Sequence, residues 1–214
     1  GFIGKNLYES FSSNTLYDII GLSSTDCDLL SLNQVQKKLL FVNKDDVIIM
    51  ASAITRLKEN TFDSMIKNIQ MADNISKFVE KNRVGYFIFL STVDVYGLVS
   101  VSTLINEKLL PNPNDYYALS KLSSEFILRK TCNKSNIPIL ILRLSGVYGN
   151  QGQNTVNKLI EAVVRDKEII IYGDGKDKRD FVYVDDICNI IKNAMERRVS
   201  TTLIIATGKS YSIN

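Results

Sequence analysis

The run Phe87-Ile88-Phe89-Leu90-Ser91-Thr92-Val93-Asp94-Val95-Tyr96-Gly97, followed by Tyr117-Ala118-Leu119-Ser120-Lys121, organises this chain. The apolar stretch from Tyr86 to Leu90 predicts a strand, and Thr92 at its end offers a hydroxyl to a substrate oxygen. If Tyr117 begins a helix, Lys121 lies one turn later on the same face, because residues four apart are helix neighbours. The ammonium then favours the phenolate and brings a tyrosine of ordinary pKa, about 10, towards use as a base near neutrality. Together the three read as a proton-transfer site. A Tyr and a Lys at this spacing also fit plain packing and solvation, so the surrounding chain decides.

Outward from this stretch the pattern alternates as a parallel α/β chain does. Apolar runs at Asp18 to Leu22, Asp46 to Met50, Val84 to Leu90, Ile137 to Leu142, Glu168 to Tyr172 and Thr202 to Ile205 predict strands. Apolar residues at three- and four-residue spacing predict helices over Gly4 to Phe11, Ser31 to Leu40, Thr61 to Lys81, Tyr117 to Thr131, Thr155 to Arg165 and Asp185 to Met195. Asp185 or Asp186 is the expected N-cap of the last. The start, Gly1-Phe2-Ile3-Gly4, reads as the second half of a glycine-rich turn that opens a helix, the place where a dinucleotide pyrophosphate meets backbone N–H groups.

With 214 residues and 45% hydrophobic content, the chain can bury one large core. Its net charge of +3, with acids and bases interspersed, argues against nucleic acid or a membrane surface as a partner. No apolar run approaches the roughly 20 residues that span a bilayer. Cys27, Cys132 and Cys188 have no metal-ligand spacing, and their odd count fits a reducing cytoplasm. The sequence contains no histidine, which removes Ser/His/Asp triads and histidine-ligated metals and leaves chemistry to tyrosine, lysine and carboxylates.

Five motifs occur in order: Gly1-x-x-Gly4; Ser91-Thr92-x-x-Val95-Tyr96-Gly97; Tyr117-x-x-x-Lys121 with Glu125 behind it; Leu142-Arg143-Leu144-x-Gly146-Val147-Tyr148-Gly149; and Tyr172-Gly173-Asp174-Gly175-x-x-x-Arg179-Asp180-Phe181-Val182-Tyr183-Val184-x-Asp186. In this the chain resembles the extended short-chain dehydrogenase/reductase family, the NAD-dependent epimerase/dehydratase group. The resemblance implies a Rossmann-like, doubly wound parallel sheet with a small, incomplete substrate-binding lobe. Residues 1–150 would form the NAD(P)-binding domain, and 151–214 a substrate-binding region interleaved with the last strands. It also implies a strand and a further glycine before Gly1 and more chain beyond Ser212, so that these residues are a window onto a longer enzyme.

By the resemblance, Thr92 is the catalytic Ser/Thr, Tyr117 the acid/base, and Lys121 the residue that binds the nicotinamide ribose and lowers the tyrosine pKa. Gly1, Phe2, Ile3, Gly4, Asp28, Leu29 and Ala51, with Tyr117 and Lys121, are the implied contacts of NAD or NADP. Thr92, Asp94 and Arg179 are the implied contacts of a nucleotide-sugar substrate, Arg179 through its diphosphate. Asn68 matches a family Asn, and a packing role suits it equally. A homodimer is expected from the family's habit of pairing through helices that flank the active site.

Three departures bear on the reaction. Sugar dehydratases carry an Asp-Glu pair after the Thr, where this chain has Val93 and Asp94, which ranks a nucleotide-sugar epimerase above a dehydratase. The region Ile20-Gly21-Leu22-Ser23-Ser24 lacks the acid that usually holds the NAD ribose; its run into Asp26-Cys27-Asp28-Leu29 resembles the sugar-nucleotide reductases. Asp28 is accordingly an adenine contact or a loop aspartate, and a 4-keto-sugar reductase is the second reading. Gly146 stands where many members have a substrate-touching Asn. A non-catalytic NAD(P)-binding sensor is the rival of another class, and the presence of Thr92, Tyr117 and Lys121 weighs against it.

Overall fold

In the computed structural model, residues 1–13, 16–100, 103–152, 155–168, 175, 176 and 178–212 are described. The helices are α1 (Phe2–Ser12), α2 (Leu32–Lys38), α3 (Phe62–Lys81), α4 (Tyr116–Lys134), α5 (Thr155–Val164) and α6 (Val184–Arg197). The strands are β1 (Val47–Met50), β2 (Tyr86–Thr92), β3 (Ile139–Leu144), β4 (Gly146–Tyr148), β5 (Arg179–Tyr183), β6 (Thr202–Ile205) and β7 (Ser210–Tyr211), and a short 3₁₀ helix (Val93–Tyr96) follows β2.

Strands β1, β2, β3 and β6 form a parallel sheet in that order, with Phe87 opposite Ile139 and Leu142 opposite Leu203. Side chains alternate across a strand, and here both faces are covered. Phe87, Phe89, Ile139 and Ile141 pack with Ala72, Ile75 and Phe78 of α3 and Leu128 and Cys132 of α4. Tyr86, Ile88, Leu90, Leu140 and Leu142 face the other way, onto Leu7 and Phe11 of α1 and Ile187, Cys188 and Ile191 of α6. Every residue of β2 and β3 is buried, which is why Tyr86 to Leu90 and Ile139 to Leu142 read as unbroken apolar runs. A smaller sheet joins β4 to β5 in parallel and β5 to β7 antiparallel.

Local chemistry sets the helix starts. Thr61 and Ser64 form a reciprocal capping box on α3, Ser31 caps α2, and Asp115 caps α4 by accepting from Ala118 N–H at 2.7 Å. Two expectations differ from the structure. Asp18–Leu22 forms no strand: among the described residues β1 pairs only with β2, and an extended run without a ladder partner leaves Ile20 and Leu22 exposed. Asp185 and Asp186 do not cap α6, whose N-cap is Tyr183; they lie in its first turn, where their charge complements the helix dipole. The strand expected at Glu168 to Tyr172 falls, apart from Glu168, outside the described residues, as does Gly173-Asp174.

Candidate active site

Ligands of open α/β sheets bind beyond the carboxyl ends of the strands, and Thr92 is the last residue of β2. Its Oγ1 accepts from Asp94 N–H at 3.1 Å, which starts the 3₁₀ turn and leaves Asp94 half-buried beside the strand end. The neck of the following loop is closed: Asn112 N–H donates to Val95 O at 2.9 Å, and a Cβ on Gly97 (φ 67°) would lie 2.0 Å from Asn112 O. A left-handed conformation and a backbone at that distance admit only glycine.

Helix α4 brings in Tyr117 and Lys121. Tyr117 N–H donates to Asn60 Oδ1 at 3.0 Å, so Asn60 and Asp115 satisfy two of the N–H groups in the first turn of the helix. Lys121 is buried, its Nζ 4.0 Å from the centroid of the Phe89 ring. Burial pulls its ammonium down to about 7, against the Glu125 carboxylate one turn on, which pushes the other way. Lys121, Ser124, Phe89, Met50, Ser52, Ala53 and Asn68 line a narrow cleft between the ends of β1 and β2 and the two helices.

The phenol of Tyr117 is pushed up to about 12, first by burial and then by Asp94, with Arg56 opposing and Asp115 adding. In the protein alone Lys121 is itself desolvated over Phe89, and the cation that opposes the rise of the phenol is Arg56. Arg56 Nη1 stands 3.5 Å from both Asp94 Oδ2 and Asp115 Oδ2.

Beneath these groups lies a buried polar network. Glu125 accepts from Ser91 Oγ at 2.5 Å, Arg143 Nε at 3.0 Å and Arg143 Nη2 at 2.7 Å, and Arg143 Nη1 donates to Tyr96 OH at 2.8 Å. It ties β2, the 3₁₀ helix, α4 and β3 to one another. Asn68 ties in a third piece: its amide donates to Ile54 O at 3.0 Å and Ser120 Oγ at 3.1 Å, and its Oδ1 accepts from Ile54 N–H at 2.8 Å. Ser120 in turn donates to Tyr117 O at 2.7 Å.

The other residues singled out in the sequence are placed as follows. Gly1 is the N-cap of α1, Phe2 and Ile3 lie in its first turn, and a Cβ on Gly4 would come 3.7 Å from that of Ala51, just past β1. Asp28 Oδ1 accepts from Leu30 N–H at 3.0 Å, a turn within its own loop, and Leu29 packs on the core. Arg179 is exposed at the start of β5. Gly146 faces the Phe181 ring: a Cβ would meet it at 2.7 Å, so Phe181 takes the room an Asn side chain would need. Asp115 was findable as a Ser/Thr/Asp/Asn N-cap ahead of an apolar helix, whereas Arg56, on an irregular loop, carries no periodic mark.

Residues 1–206 match the NAD dependent epimerase/dehydratase family. The chain belongs to this family. It is similar to GDP-6-deoxy-D-talose 4-dehydrogenase of Aggregatibacter actinomycetemcomitans, 31% identical over the whole chain and 74% of the relative. Among solved structures it is similar to UDP-glucose 4-epimerase of Thermotoga maritima with UDP-glucose (TM-score 0.86, 23% identity, 100% of this chain and 76% of that one). It also resembles UDP-glucuronic acid 4-epimerase of Bacillus cereus with UDP-glucuronic acid and NAD (TM-score 0.77, 27% identity, 99% and 67%). As a member of the epimerase/dehydratase family the chain is part of an enzyme lineage, and no helix among its described residues is long and apolar enough to cross a membrane.

Proposed function

We propose that this chain carries the cofactor site and the acid/base groups of an NAD(P)-dependent enzyme acting on a nucleotide-activated sugar, and that the enzyme is a nucleotide-sugar epimerase. The observation that carries the reading is the convergence at the end of β2: Thr92 on the strand, and Tyr117 at the start of the helix packed on it, electrostatically linked to Asp94 two residues past Thr92. Residues 1–150 are read as the cofactor part and 151–214 as the substrate part.

The residues present fit a dinucleotide. Helix α1 carries no acid in the first turn of its N-terminus. Such an N-terminus favours an anion. Gly1, Phe2, Ile3 and Gly4 would hold the pyrophosphate, Asp28, Leu29 and Ala51 the adenosine side, and Lys121 the nicotinamide ribose. When bound, the nicotinamide supplies hydride transfer. Tyr117 takes the proton of a sugar hydroxyl and later returns it, while Thr92 hydrogen-bonds the same oxygen. Asp94 and Arg179 contact the substrate, Arg179 at the diphosphate. The ammonium of Lys121 makes no hydrogen bond to another described side chain, so its donors are available to ribose hydroxyls.

A homodimer is supported by one surface. Phe62 and Ile66 on α3 and Tyr116, Leu119 and Phe126 on α4 are exposed, with the Phe62 and Tyr116 rings 6.2 Å apart in an edge contact that joins the two helices into one apolar face. The buried, free thiols of Cys27, Cys132 and Cys188 suit a reducing cytoplasm. The deciding experiment incubates the full-length enzyme with UDP-, GDP- and dTDP-sugars, with and without added NADPH. Interconversion of sugar epimers without net reductant is the expected result; stoichiometric NADPH consumption replaces it with the reductase reading, towards which the 4-dehydrogenase relative points.

A further inference from the structure

We propose that Arg56 is a positioning residue: it gathers Asp94 and Asp115 into one charge cluster at the mouth of the site and so governs how readily Tyr117 gives up its proton. The inference rests on the reading of Tyr117 as the acid/base group.

Three segments meet at this guanidinium. Arg56 belongs to the loop after β1, Asp94 to the 3₁₀ helix after Thr92, and Asp115 is the N-cap of α4. One nitrogen, Nη1, lies 3.5 Å from a carboxylate oxygen of each acid. Asp115 spends its other oxygen on Ala118 N–H, so its carboxylate is fixed from both sides. The guanidinium fork suits such bridging, because it is planar and charged at every relevant pH.

The charged groups that face Tyr117 come from each element around it. Asp94 and Asp115 both oppose the phenolate, and Arg56 opposes them. Lys121, one turn on in α4, is held over Phe89. The Asn60 oxygen is neutral and engaged with Tyr117 N–H. Removal of Arg56 therefore leaves two carboxylates uncompensated beside the hydroxyl that must ionise. The side chain is 38% exposed, so solvent screens part of the effect, and the expected displacement is about one pH unit, or tenfold in the ionisation constant.

The test is the pH dependence of kcat/KM in the full-length enzyme with NAD and the sugar nucleotide, from UDP-glucose and its GDP and dTDP counterparts, that wild type turns over fastest. In Arg56→Gln the rising limb moves to higher pH by about one unit, turnover at neutral pH drops ~10-fold and recovers at high pH. NAD affinity, measured by calorimetry, stays within about twofold. Arg56→Lys stays near wild type, and Arg56→Gln with Asp94→Asn moves the limb back down. An unmoved limb in Arg56→Gln, or a loss equal at every pH, overturns the proposal. The underlying reading fails separately, through retained turnover in Tyr117→Phe or through no turnover of any member of the panel.

Discussion

The Arg143 guanidinium and the Glu125 carboxylate meet in the interior through two hydrogen bonds, 3.0 and 2.7 Å long, between β3 and α4. Both side chains are almost wholly buried, so each is the other's substitute for water. Breaking a buried pair by removing one partner costs about 3–5 kcal/mol, because an uncompensated charge is left behind. Glu125→Leu and Arg143→Met are each expected to lower unfolding free energy by roughly that much, whereas the double variant loses less than the sum of the two. Urea denaturation of the four proteins checks this, and additive losses would show that the pair is not coupled.

Tyr117→Phe removes one oxygen from a half-buried ring and leaves Asn60, Asp115 and Ser120 in place on the surrounding backbone. Turnover is expected to fall by about 10²–10⁴-fold, the usual worth of a positioned acid/base group, with cofactor affinity kept within a few-fold. Steady-state kinetics beside NAD titration separates the two; undiminished turnover removes Tyr117 from the mechanism.

Lys121 gives a stability prediction with a definite sign. Its folded pKa is lowered to about 7 by burial, below an unfolded value of about 10.4. Between these values the unfolded chain binds more protons, so stability rises with pH across that window, and the cost of charging Lys121 inside is fully present below about 7. Lys121→Met should therefore raise the stability of the cofactor-free protein more at pH 6 than at pH 10. Chemical denaturation at both pH values is the measurement, and an equal gain at the two would contradict the buried, titrating amine.

Asn68 holds Ile54 by both its N–H and its C=O. Asn68→Leu leaves those backbone groups without their side-chain partners and is expected to cost about 1–3 kcal/mol. It also frees the Ile54 to Arg56 loop, so protection of Ile54 N–H against hydrogen exchange should drop selectively. Unchanged protection there would show that the loop is held by something other than Asn68.

If α3 and α4 pair across a two-fold axis, a charge in the centre of their apolar face is costly to bury. Leu119→Glu is expected to shift the protein to monomers in sedimentation equilibrium with its melting temperature little changed, since Leu119 is exposed in the single chain. A dimer that survives the substitution places the interface elsewhere.

What the sequence made legible follows from what each element has to satisfy. Strands β2 and β3 are buried on both faces, so composition alone marks them, and α3 and α4 carry their own caps at Thr61 and Asp115. Asp18–Leu22 has the same apolar look, but a strand is a relation between two segments, and none of the described residues pairs with it. Strand β5 was concealed in Arg179-Asp180-Phe181-Val182-Tyr183, which reads as a substrate motif before it reads as a ladder. In the site, Thr92, Tyr117 and Lys121 were visible because strand end and helix turn fix their spacing. The cation that acts on Tyr117 was not, since Arg56 comes from a loop whose path no periodicity encodes.

The closed neck at Gly97 and Asn112 divides reach from aim. Chain added between Leu104 and Asn106 enters beyond the point where Val95 O accepts from Asn112 N–H, so Thr92 on one side and Tyr117 on the other stay behind a backbone pairing that the added chain does not touch.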